Sequence, residues 1–164
     1  MKIIDIKTYV VKPKFPEKSG AFEGEWTFVQ VDTDEGITGW GEASNSPGGG
    51  SFLSAKTIGI LRESLLGKDP FEIESIWQQN YRRYTYLGAR GLPTVALSGI
   101  DIALWDIKGK ALGRPIYDLL GGKIRDRIQL YANGWFFGCQ TPDHYANAAK
   151  IAVDAGHLAL KLDP

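Results

Sequence analysis

Ala96-Leu97-Ser98-Gly99-Ile100-Asp101-Ile102-Ala103-Leu104-Trp105-Asp106-Ile107-Lys108-Gly109-Lys110 is the stretch on which the fold turns. Ala96, Ile100, Ala103, Leu104, Ile107 and Ala111 recur three and four residues apart, the spacing of one face of an α-helix. Pro93 is placed to open that helix, and Gly113 followed by Pro115 to stop it. Asp106 and Lys110 form a favourable i,i+4 pair on its outer side. A long helix with one apolar face needs a second layer to bury that face against.

The layer lies upstream. Ile4, Ile6, Tyr9 and Val11 sit among polar residues and read as a strand over residues 2–11. Residues 12–24 hold two prolines and two glycines and read as a long loop. Trp26, Phe28 and Val31 mark a second strand, Asp34-Glu35-Gly36 a turn, and Ile37 to Ala43 a third strand. Short turns join antiparallel strands, so a three-stranded antiparallel sheet is expected. After Pro47-Gly48-Gly49-Gly50, Ser51 is placed to cap a helix running to about Leu66. Pro70 is expected to open another, carrying Phe71, Ile73, Ile76, Trp77 and Tyr81. Pro115 to Leu120 add one short turn of helix.

Downstream of about Arg127 the pattern changes. Ile128 to Ala132 read as a strand. Thr141-Pro142-Asp143 is a helix start, with a cap, a proline at the first position and an acid in the first turn. Tyr145, Ala148, Ala149, Ala152 and Val153 form the apolar stripe, Gly156 ends it, and Leu158 to Leu162 read as a second strand. Strand, helix, strand implies two parallel strands and a right-handed crossover. The expectation is an α+β domain over residues 1–126, then residues 127–164 as the first βαβ unit of a truncated, incomplete (β/α)-barrel. Two parallel strands leave both edges unpaired, so the chain is expected to be a piece of a longer protein. The competing reading joins the last strand to the N-terminal sheet.

Composition narrows the function classes. Nineteen acidic and nineteen basic residues give a formal net charge of zero, which argues against nucleic acid or an anionic membrane as partner. Cys139 is the only cysteine and there are two histidines, so neither an intrachain disulfide nor a zinc site is expected. No segment approaches the ~20 apolar residues of a membrane span. The N-terminus lacks a signal-peptide run, and the expected compartment is the cytoplasm. Gly48-Gly49-Gly50-Ser51 lacks the ending of a phosphate-binding P-loop.

The helix quoted above, with Gly113-Arg114-Pro115-Ile116-Tyr117-Asp118-Leu119-Leu120-Gly121-Gly122 after it, resembles the capping-domain signature of the mandelate racemase/muconate-lactonising family of the enolase superfamily. Three further pieces follow in family order. Asp34-Glu35-Gly36 through Gly39-Trp40-Gly41-Glu42 is similar to the early hairpin, and Gly67-Lys68-Asp69-Pro70 to the inter-helix turn. Leu160-Lys161-Leu162-Asp163 is similar to the end of the second barrel strand. Within the family the wording is most similar to the acid-sugar dehydratases. The resemblance implies a capping domain over a barrel and a small carboxylate substrate. It also implies Mg²⁺, with ligands beyond residue 164 and none within residues 1–164. A base then removes the proton α to the carboxylate, and a β-hydroxyl leaves as water. A racemase, epimerase or cycloisomerase of the same superfamily is the alternative, and a non-catalytic capping module is the rival from another class. Family members are often dimers or octamers, so a homo-oligomer is expected.

Lys161 is the leading catalytic candidate. In Leu158-Ala159-Leu160-Lys161-Leu162 the three leucines share one face, expected to pack on helices. Ala159, Lys161 and Asp163 then point inward, near the mouth where barrels place their chemistry. A lysine there can act as base or hold the substrate carboxylate. Its bland reading is a solvated strand-end lysine. Asp163 stands where many family members carry a second lysine, which argues against racemisation; it is a second catalytic candidate, or a partner of Lys161. Lys14, Phe15 and Phe22 of one loop, and Asn45 and Ser46 of another, are substrate-binding candidates, because the family covers substrate with the equivalent loops. Ordinary loop residues are the alternative there. Asp101, Trp105, Asp106 and Lys108 are read as structural, fixing the long helix against the barrel.

Overall fold

A computed structural model describes residues 1–12, 14, 24–44, 50–88 and 90–162. The chain divides into two compact units, one of Met1–Pro13 with Gly24–Gly122, the other of Lys14–Glu23 with Lys123–Pro164. No helix among the described residues is long and apolar enough to cross a membrane.

The first unit is a three-stranded antiparallel sheet with helices on one face. Strands β1 (Ile3–Val11), β2 (Trp26–Thr33) and β3 (Thr38–Glu42) lie in the order β1-β2-β3. In β2 the buried side chains alternate as Thr27, Val29, Val31 and Thr33, the period of a sheet with one face covered. The aromatic residues that mark this strand in the sequence, Trp26 and Phe28, therefore lie on its other face. In β1, Ile3 and Ile6 are both buried although three residues apart. A register shift between Ile3 and Asp5 switches the face, and it leaves Ile4 exposed.

Helices α1 (Gly50–Leu65), α2 (Ile73–Arg83), α3 (Leu92–Leu112) and the short α4 (Ile116–Leu119) complete this unit. Two starts differ from the sequence expectation. Ser51 does not cap α1, because the helix begins one residue earlier. Its hydroxyl instead donates to Glu25 O at 2.6 Å, and Thr27 Oγ1 donates to Ser51 O at 3.0 Å. Pro70 does not open α2 either. Asp69 holds a turn, accepting from Phe71 N–H through its side chain and from Glu72 N–H through its carbonyl, and the helix begins at Ile73. The long helix ends as expected. Gly113 adopts φ 61° and Arg114 N–H reaches back to Gly109 O at 2.9 Å, which satisfies carbonyls the helix end leaves free.

The core joins Ile3, Ile6, Val29 and Val31 of the sheet to Ile58, Leu61 and Leu65 of α1 and to Ile100, Leu104 and Ile107 of α3. Ala111, expected on the buried stripe, is exposed in the last turn. What sets the spacing of these layers is glycine. A Cβ on Gly39 would fall on the Ala103 carbonyl oxygen and 2.6 Å from Ile107 Cγ1; on Gly41 it would fall on the Gly99 carbonyl oxygen. A Cβ on Gly99 would lie 2.7 Å from Ala43 Cβ and 2.9 Å from Val29 Cγ2. The backbones of β3 and α3 thus meet with hydrogen in place of side chains.

The same helix seals the free edge of β3. Asp106 Oδ2 accepts from Trp40 N–H at 2.8 Å, and Lys110 Nζ donates to Thr38 O at 2.7 Å and to Asp106 at 2.7 Å. Edge-strand groups that would otherwise stay open to another chain are occupied. Asp106 was expected to fix the helix against a barrel; its carboxylate is committed to the sheet instead. The outer face of the sheet carries its own polar network. Asp32 accepts from Lys7 Nζ, Gln30 Nε2 and Thr38 Oγ1, each at 2.8 Å. Burial pushes the Asp32 carboxyl up, and the donors from Gln30, Lys7 and Thr38 outweigh it, so its pKa is lowered.

Two glycines separate packing from backbone freedom. Gly41→Ala is expected to destabilise the chain by about 3 kcal/mol, because the new methyl meets backbone rather than a movable side chain. Gly59, exposed in α1 with open space at its Cβ position, should behave oppositely: Gly59→Ala is expected to stabilise by up to ~1 kcal/mol. Urea unfolding of both variants against the parent chain measures the two signs.

Candidate functional site

The second unit is built around one helix and one parallel contact. Helix α5 (Pro142–Asp154) starts as the sequence reads: Thr141 is extended, and its hydroxyl accepts the N–H of His144 at 3.3 Å. Ala132 N–H donates to Ala159 O at 2.9 Å, and Lys161 N–H donates to Ala132 O at 2.8 Å. These are the paired bonds of a parallel bridge between Ala132 and Leu160, with α5 between them in the chain.

The expected strands over residues 128–132 and 158–162 are reduced to that single bridge. No further strand flanks either segment among the described residues, and a lone pair of strands is marginal without neighbours. Ile128 and Leu130 are exposed. The leucine face does not pack on helices as expected, since Leu158 is 85% exposed and Leu162 48%. Helix α5 buries only Ala152, and among the described residues of this unit the other well-buried apolar side chain is Phe136.

Lys161 is exposed and follows the bridge directly, at the C-terminal end of its segment. Its backbone is held twice: the N–H by Ala132 O and the carbonyl by Trp135 Nε1–H at 2.8 Å. Trp135 stands edge-on to Phe136, with centroids 5.7 Å apart, and to Tyr145 of α5, at 6.4 Å. Sequence reading passed over Trp135. The available signal was Asn133-Gly134, a turn dipeptide ending the first segment, with a large amphipathic ring next to it. Lys14 is exposed and irregular. Phe15, Phe22, Asn45, Ser46 and Asp163 lie outside the described residues. His144 and His157 stand at the two ends of α5, and among the described residues no three His, Cys, Asp or Glu side chains converge as a metal site requires.

The first unit has a cleft of about 430 Å³ between α2 and α3, lined by Phe71, Glu74, Trp77, Asp101, Trp105 and Lys108 among others. Lys108 Nζ lies 5.3 Å from the Trp105 ring centroid and 5.7 Å from that of Phe71. Trp105 also packs on the core of its own unit. Burial raises the Asp101 carboxyl from its ordinary value, and the charge of Glu74 adds to that.

The sequence comparison decides the family. The description "Mandelate racemase / muconate lactonizing enzyme, N-terminal domain" matches residues 6–121. The chain belongs to the mandelate racemase/muconate lactonizing enzyme family. It is 43% identical to a D-galactonate dehydratase of Variovorax paradoxus over 163 residues, which covers 99% of this chain and 38% of that protein. It is 43% identical to a D-gluconate dehydratase of Thermoproteus tenax over 139 residues, covering 83% of this chain and 27% of that protein. The chain therefore spans well under half the length of these curated relatives. Among solved structures it matches a member of the enolase superfamily from Salmonella Typhimurium with TM-score 0.85 and 35% identity, over 99% of this chain and 42% of that one. The 3,6-anhydro-D-galactonate cycloisomerase of Zobellia galactanivorans matches with TM-score 0.70 and 34% identity, over 81% of this chain and 35% of that one. The matched description is that of an N-terminal domain, and residues 6–121 hold the three-stranded sheet and helices described above.

Asp101 offers a check on the cleft. Its folded pKa is raised, so between the unfolded and folded values the native state holds the proton more tightly, and stability falls as pH rises through that window. Asp101→Asn is expected to raise the thermal midpoint at pH 7, with the gain shrinking as pH falls from the raised folded pKa towards the unfolded value near 4 and gone below it, where the carboxyl is protonated in both states. Thermal unfolding of variant and parent at the two pH values measures it.

Proposed function

We propose that these residues are the front part of an enzyme that dehydrates a sugar acid. The observation that carries this reading is the 43% identity to D-galactonate and D-gluconate dehydratases over 99% and 83% of the chain. Identity to the cycloisomerase is lower, at 34% over 81% of the chain, so the lyase reading stands ahead of the isomerase. Residues 1–126 are assigned as the cap and residues 127–164 as the opening of the barrel, with a small carboxylate as substrate and a homo-oligomer as the assembled form.

The proton α to a carboxylate is very weakly acidic, so its removal needs a placed base and stabilisation of the charge that develops. Lys161 is assigned to the substrate side, as base or as the cation that holds the carboxylate. Its support is its place at the end of a parallel segment, the end at which barrels of this kind carry chemistry. Asp163 is assigned as its companion. Lys14, Phe15, Phe22, Asn45 and Ser46 are assigned to loops that cover substrate. A bound Mg²⁺ would supply positive charge beside the carboxylate whose α-proton is removed. Its ligands are assigned, as the family resemblance implies, to residues beyond 164.

Two results test this. The 164-residue chain alone is expected to turn over no sugar acid with Mg²⁺ present. In the complete enzyme, Lys161→Ala is expected to lower kcat/KM for the sugar acid by about 10²–10⁴-fold, with the thermal midpoint nearly unchanged. A parental rate in that variant removes Lys161 from the site, and failure of the complete enzyme on a panel of C5 and C6 sugar acids removes the dehydratase reading.

A further inference from the structure

A parallel ladder has a fixed rhythm. Once Ala132 N–H has paired with Ala159 O, and Lys161 N–H with Ala132 O, the next rung would send Gly134 N–H to Lys161 O. That rung is not made by backbone. Gly134 has φ 76° and turns the chain away, and its N–H goes to the side-chain oxygen of Asn133 at 2.9 Å. The indole N–H of Trp135 takes the vacated acceptor, reaching Lys161 O at 2.8 Å. A side chain thus supplies the rung that ends the ladder, at the residue whose ammonium is the leading catalytic candidate.

The ring is well placed to hold that position. Its interplanar angles to Phe136 and Tyr145 are 86° and 87°, the edge-to-face geometry that aromatic rings favour. Phe136 is 8% exposed, among the best-buried side chains of the unit. Two turns brace the segment, Phe137 N–H to Gly134 O and Cys139 N–H to Phe136 O, both at 3.1 Å. Trp135 therefore links the loop after the first segment, helix α5 and the C-terminal end of the second segment. Indole has one donor and no acceptor, and that donor is used on Lys161.

We propose that Trp135 is a positioning residue for the reaction: its indole N–H closes the parallel ladder on the Lys161 carbonyl and so fixes the backbone from which the Lys161 side chain reaches substrate. The proposal rests on the dehydratase reading given above. It does not require the ring to touch substrate. The Gly134 turn keeps the backbone rung from forming in its place, so loss of the indole N–H removes this hydrogen bond from the Lys161 carbonyl and loosens the strand end. Misplacement of a catalytic group on the ångström scale is enough to slow turnover.

Trp135→Phe keeps an aromatic ring against Phe136 and Tyr145 and removes the donor. In the ¹⁵N-labelled 164-residue chain, the Lys161 amide is expected to exchange with solvent about tenfold faster in this variant than in the parent, the factor that one lost hydrogen bond represents. The Val31 amide in the first unit is expected not to change. In the complete enzyme the same substitution is expected to lower kcat for the sugar acid about tenfold, with KM within about twofold and the thermal midpoint nearly unchanged. A variant with parental kcat, beside a Lys161→Ala enzyme that has lost activity, overturns the positioning role and leaves the dehydratase reading standing. A rise in KM with kcat unchanged also overturns it, since that pattern marks lost uniform binding. A Lys161→Ala enzyme with parental activity overturns the reading and the positioning role together.

Discussion

Helix α3 lies on strand β3 with no side chain between them at Gly39, Gly41 and Gly99. The other contacts of the first unit are consequences of that approach. It brings Ile100, Leu104 and Ile107 down onto Val29 and Val31, where burial of each large side chain contributes about 1.5–3 kcal/mol. It also sets Asp106 and Lys110 within reach of the backbone of Trp40 and Thr38. An ordinary helix-on-sheet spacing would leave those short polar reaches unmade and the strand edge open. One close contact therefore accounts for the core and for the sealed edge.

The sequence made the elements of this unit legible and hid the reason for their spacing. The period of Ala96, Ile100, Ala103, Leu104 and Ile107 gave the helix and its buried face, because a 3.6-residue repeat is a local property. Gly39 and Gly41 stood in view on either side of Trp40. Nothing local says that a helix some sixty residues later will lie on them. The same limit explains Asp106. Its i,i+4 partner Lys110 was readable from the helix alone, while its bond to Trp40 N–H joins residues far apart in the chain. Starts were misjudged where a side chain had a better tertiary partner than a cap, as Ser51 has in Glu25 O. In β1, the spacing of Ile3 and Ile6 was masked by a register shift.

For the candidate site, sequence pointed to Lys161 and missed its neighbour. A strand-end lysine is visible from alternation. The fact that Trp135 occupies the carbonyl of Lys161 depends on a turn at Gly134 and on a ladder that stops after one bridge. The second unit also differs in kind from the first. Its two segments share one bridge, and Ile128, Leu130 and Leu158 remain exposed. A parallel pair of this sort is normally covered on both faces. The first unit has the closed core of a finished layer pair. The family chemistry, by contrast, is assigned to an assembly larger than these residues.

Native-state amide hydrogen exchange on the 164-residue chain measures that difference between the two units. The amides of Val29, Val31, Gly41 and Ile100 are expected to open together at the highest free energy in the molecule. The amides of Ala132 and Lys161 should exchange through a separate and much smaller opening. Equal protection of Ala132 and Val31, or an opening of β3 that leaves α3 protected, would contradict it.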